Sequence, residues 1–96
     1  MSPKNKKKLN ILRRKLDSID QMLLSIIKKR TEIVKKVITH KKNRKEIVDK
    51  KRIAFILKKI KKASIKKKID PKITHKIWKN MIWAYIDFER KNFKKK

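Results

Sequence analysis

The segment LNILRRKLDSIDQMLLSIIKKRTEIVKKVITHK, residues 9–41, decides the fold. Leu9, Leu12, Leu16, Ile19, Leu23, Ile26, Ile33 and Val37 recur at alternating spacings of three and four, the signature of a helix with one apolar stripe. Arg30 falls on that stripe. A guanidinium on an apolar seam is costly unless it is paired or the seam opens onto a ligand, so a buried Arg30 facing an anion is expected. Lys41 lies eleven residues further on. On one continuous helix it would project from nearly the same face, about 16 Å along the axis. Arg13, seventeen residues before Arg30, is roughly 25 Å away along the axis and off its azimuth. The two arginines can grip one small ligand only if the helices pair antiparallel across a dimer.

Helix length points the same way. A helix over residues 9–41 would be on the order of 50 Å long, whereas a compact domain of this size has a radius of gyration of about 13 Å. A second protomer is expected to cover the remainder. The 96 residues are read as one domain, 1–96, with residues 1–8 a basic, flexible N-terminus, and 39% hydrophobic content is lean for a monomer. There is no cysteine, hence no disulfide, thiolate nucleophile or cysteine-held metal. There is no glycine either, which excludes a P-loop or a GxGxxG turn. Asn10, Arg13, Arg14 and Lys15 interrupt any export signal after the basic start, and no segment approaches a membrane span, so a cytoplasmic location is expected.

The net charge of +26, from 34 Lys and Arg against 8 Asp and Glu, invites a nucleic-acid reading. The lysines are spread through every segment rather than gathered in a patch, which favours a solvated surface, with nucleic acid as the weaker alternative. Such a surface would also steer small anions.

A polar stretch, Lys42 to Glu46, ends the first helix. Asp49 is a fitting N-cap for a second, which carries Arg52, Ile53, Ile56, Leu57, Ile60 and Ala63 and fades over Lys66 to Lys68. Asp70-Pro71 is the cleanest boundary, an N-cap followed by proline in the first turn. The third helix then carries Ile73, Ile77, Trp78, Met81, Ile82, Tyr85, Phe88 and Glu89 and ends near Phe93. The expected fold is all-α, three helices per chain with one long, assembled as a helical homodimer.

Paired catalytic carboxylates, a Ser-His-Asp set and an HExxH motif are all missing, so hydrolytic and zinc mechanisms lack their parts. His40 and His75 read as surface or packing residues, Trp78 and Trp83 as core or interface aromatics. Tyr85 and Glu89, four apart, share a helix face, and Glu89 reads either as a site residue or as a simple surface partner for a lysine.

Taken in order, Leu12-Arg13, Ile19-Asp20, Arg30, Lys41, Val48-Asp49 with Arg52, and Asp70-Pro71 leading into Trp78 to Glu89 resemble the all-helical chorismate mutase family over about residues 9–93. The resemblance implies an intertwined homodimer with two shared active sites and no cofactor or metal. It implies that Arg13 of one subunit and Arg30 of the other bind the two carboxylates of chorismate, while Lys41 contacts a carboxylate and the breaking ether oxygen. Arg52 would support the carboxylate end, Asp49 would lie near the ring hydroxyl, and Glu89 would stand beside the ether oxygen with Tyr85 one turn earlier. One departure is Ile53, where typical mutases carry a glutamate that contacts the ring hydroxyl. With Tyr85 and its aromatic neighbours, that change is also reminiscent of isochorismate pyruvate lyase, an alternative on the same fold.

Overall fold

The computed structural model describes residues 2–94. Three helices account for nearly all of them: α1 (Pro3–Thr39), α2 (Lys50–Lys66) and α3 (Pro71–Asn92), with a 3-10 turn over Arg44–Glu46. No described residue is in a strand. Among the described residues no helix is long and apolar enough to cross a membrane. The chain divides into two units, Met1–Ile33 and Val34–Lys96.

The first unit is helical from its third residue, so α1 begins six residues before the expected start at Leu9. Ser2 explains the difference. Its Oγ accepts from the Asn5 N–H at 3.2 Å and its carbonyl from the Lys6 N–H at 2.9 Å, with Pro3 in the first turn where a missing N–H costs nothing. The apolar stripe is present but uncovered within the chain: Leu12, Leu16, Ile19, Leu23, Ile26 and Ile33 are all at least half exposed. Arg30 is consequently only half-buried, a correction to the expectation of a buried guanidinium. A seam buries its residues only when something lies across it.

The second unit holds the core. Ile38 from the end of α1, Ile47 from the loop, Ile82 and Ile86 from α3, and Phe93 just beyond it are buried together, with Val34, Val48, Ile53, Ile56, Leu57 and Phe88 packed around them. Two N-caps organise this unit. Asp49 Oδ1 accepts from the Arg52 N–H at 3.0 Å and Asp70 Oδ1 from the Lys72 N–H at 2.9 Å. Between them α2 and α3 form a helical hairpin, pinned near its link by two buried hydroxyls. Ser64 Oγ donates to the Ile60 carbonyl at 2.6 Å, and its lone pairs are left to accept from Thr74 Oγ1 at 2.7 Å.

Without glycine, α2 ends through Lys68, held at φ 60° in the left-handed region. The Ile69 N–H donates to the Ser64 carbonyl and the Lys68 N–H to the Ile65 carbonyl, the paired bonds of a Schellman stop. Along α3 the inward residues are Thr74, Ile82, Ile86 and Glu89. Ile73 and Ile77, expected on the apolar face, are more than half exposed because that stripe lies beside the one that α2 covers. Trp78 is half-buried and Trp83 exposed.

Candidate active site

Thr39 is the last residue of α1, so Lys41 does not ride on that helix as its spacing from Arg30 suggested. The helix closes with tightened i to i+3 bonds, His40 N–H to the Val37 carbonyl and Lys41 N–H to the Ile38 carbonyl, both 3.1 Å. The loop that follows is tied to itself at each step. Glu46 Oε2 accepts from the Lys42 N–H at 2.9 Å, Asn43 Oδ1 from the Lys45 N–H at 3.1 Å, and Ile47 anchors the loop in the core. Lys41 is therefore aimed by a braced turn rather than by helical azimuth.

It is aimed at Glu89. The Lys41 Nζ lies 2.9 Å from Glu89 Oε1, joining residues 48 apart in sequence. Glu89 stands on the inward face of α3 and is only 6% exposed. A carboxylate at such depth requires a charged or hydrogen-bonding partner, since an unpaired buried charge is strongly destabilising. Lys41 supplies it. Glu89 thus has the lysine partner that its simple-pairing reading expects, although the acid is buried and the pair is long-range.

The remaining candidates divide by unit. Tyr85 is half-buried one turn before Glu89 on α3. Asp49 uses its carboxylate to cap α2, as described, and Arg52 is exposed with its guanidinium 5.4 Å from the centroid of Phe55. Ile53 packs against the core cluster. Arg13 is exposed and Arg30 half-buried, both on α1 in the first unit.

Lys41, Lys45, Glu46, Val48, Asp49, Lys50 and Lys51 line an open groove of about 570 Å³. Its acids are engaged internally, Glu46 by the Lys42 N–H and Asp49 by the Arg52 N–H. The lysines on its rim are exposed or half-buried, which leaves a net positive mouth suited to an anionic ligand. A larger groove, about 810 Å³, lies between α2 and α3 near their link, among Leu57, Lys61, Pro71, Ile73 and His75. It is lined by none of the candidate site residues just described. His75 on its rim and His40 after α1 are both exposed.

Arg44 escaped the reading of the sequence. Its Nη1 donates to the Arg90 carbonyl at 3.1 Å, and its guanidinium lies 5.6 Å from the centroid of Phe93. Nothing in the local pattern separates it from the many other basic residues around it; only the preceding Asn43, a turn-forming residue, hinted that the position is ordered.

A family model described as chorismate mutase type II matches residues 12–90. No match was found among curated proteins or among solved structures.

Proposed function

We propose, from the premise that the chain belongs to the chorismate mutase type II family, that its catalytic centre is built around Lys41 and Glu89 and is completed by a second copy of the chain. The reaction is the rearrangement of chorismate to prephenate, an isomerisation. It is pericyclic and asks for no nucleophile. The protein's contribution is to hold the compact conformer and to stabilise charge that grows as the ether bond stretches.

The observation that carries the site is the 2.9 Å contact between Lys41 and the buried Glu89. In the proposed complex Lys41 turns to the ether oxygen and one substrate carboxylate, and Glu89 stands beside the same oxygen. As a carboxylate, Glu89 can only accept hydrogen bonds; to help there it must be protonated and donate. Glu89→Gln, a permanent donor, should then keep turnover that Glu89→Ala loses. Equal turnover in the two variants would remove Glu89 from the oxygen.

Arg30, with Arg13 of the partner subunit, would bind the two carboxylates; Arg52 would support the carboxylate end, Asp49 would lie near the ring hydroxyl, and Tyr85 would wall the site one turn from Glu89. Ile53 gives the hydroxyl no polar contact, so its recognition would rest on neighbours such as Asp49. A homodimer is supported by the uncovered stripe of α1, since large contiguous apolar surfaces seldom stay exposed on a monomer. In this reading residues 1–96 form a single domain of a cytoplasmic enzyme of aromatic amino acid biosynthesis. The test is turnover by purified protein of chorismate and, separately, isochorismate, with products separated by chromatography. Prephenate from chorismate is expected; pyruvate and salicylate from isochorismate alone would overturn the assignment.

A further inference from the structure

We infer that Arg44 is a positioning residue, clamping the last turn of α3 to the loop after α1 so that Lys41 and Glu89 meet. This rests on the site assignment above and extends it. The last four carbonyls of a helix have no partner within it, and Arg90, one residue after Glu89, carries one of them. Arg44 Nη1 reaches that carbonyl at 3.1 Å. The chain then turns extended at Phe93, whose ring enters the core, and the same guanidinium lies over that ring. One side chain thus holds α3 at two points flanking the end of the turn that carries Glu89. A cation at a helix C-terminus is also favoured by the helix dipole.

The other end of the clamp is equally fixed. Arg44 opens the 3-10 turn that Asn43 caps, three residues after Lys41, and the Ile47 N–H closes that turn onto the Arg44 carbonyl at 3.2 Å. The link from Lys41 to Glu89 therefore runs through Arg44 as well as through the ion pair itself. A lysine in its place could donate to the carbonyl but would lack the planar fork that also covers Phe93.

The test uses the full chain and two readouts. In Arg44→Ala, kcat should fall about tenfold with little change in KM, because small displacements of catalytic groups are costly in rate, and Arg44→Lys should recover part of it. Independently of activity, a double-mutant cycle of Lys41→Ala and Glu89→Gln, followed by urea unfolding, gives the coupling between the pair. That coupling should drop to less than half in the Arg44→Ala background. If the coupling is unchanged while stability falls, Arg44 is only a helix cap and the inference is overturned. If the wild-type chain turns over no chorismate yet the coupling drops, the clamp stands and the site's function is what fails. Should Arg44→Ala not fold, Arg44→Lys and Phe93→Leu carry the same cycle, and coupling undiminished in both overturns the inference.

Discussion

The two units of this chain treat apolar surface in opposite ways. In residues 34–96, helices α2 and α3, the loop after α1 and Phe93 converge on a core that buries Ile38, Ile47, Ile82 and Ile86, and the acids Glu46, Asp49 and Glu89 all have internal partners. In residues 1–33 a regular stripe runs with no cover of its own, Leu12 at 55%, Leu16 at 59% and Ile26 at 58% exposed. The same heptad-like spacing that would fill a seam between helices is here left exposed. Chain-wide, five apolar side chains are buried among the described residues while seventeen large ones are exposed. That ratio supports the homodimer proposed above.

Breaking the second unit at its charged centre should give the largest effect. Lys41→Ala leaves Glu89 buried without its cation, which should cost about 3 kcal/mol in urea unfolding and reduce turnover by at least about 100-fold. A loss confined to KM would contradict the role of Lys41 at the breaking bond. Next comes the first unit. Leu16→Glu with Leu23→Glu places two carboxylates on the stripe, and each lost leucine should weaken assembly by about 2 kcal/mol. Sedimentation should show a monomer, with turnover lost as well. A monomer that kept its activity would confine the site to one chain.

Smaller changes sharpen the picture of the hairpin. Ser64→Ala strips Thr74 of its 2.7 Å partner and should destabilise by about 1 kcal/mol without touching turnover. Lys68→Gly should do the reverse. It relieves a non-glycine residue at φ 60° and should add about 1 kcal/mol, raising the melting temperature by about 4 °C. No gain there would mean that Lys68 makes a compensating contact.

Where sequence and structure agree, a local rule with a single physical cause was at work. Asp49 and Asp70-Pro71 start α2 and α3 where capping chemistry says they should. Ser2-Pro3 is the same signal and begins α1, but no apolar periodicity follows it until Leu9, so the pattern alone gave it no weight. Long-range geometry was less legible. Counting residues places Lys41 on a face of α1, although that helix closes at Thr39 through its terminal turn bonds. Its meeting with Glu89 depends on how the loop folds back, which residue spacing does not encode. The exposure of Ile73 and Ile77 has the same origin: an amphipathic helix shows which residues are apolar, while its neighbours decide which of two adjacent apolar faces is covered.

The most direct measurement is complementation between two single variants, Arg13→Ala and Arg30→Ala, unfolded together, refolded as a mixture and assayed with chorismate. If each site takes Arg13 from one subunit and Arg30 from the other, each variant alone is inactive. Half of the refolded dimers are then mixed and hold one intact site each, so activity returns to about a quarter of wild type. A mixture as inactive as its components, beside an active wild type, would contradict a site shared between two copies of the chain.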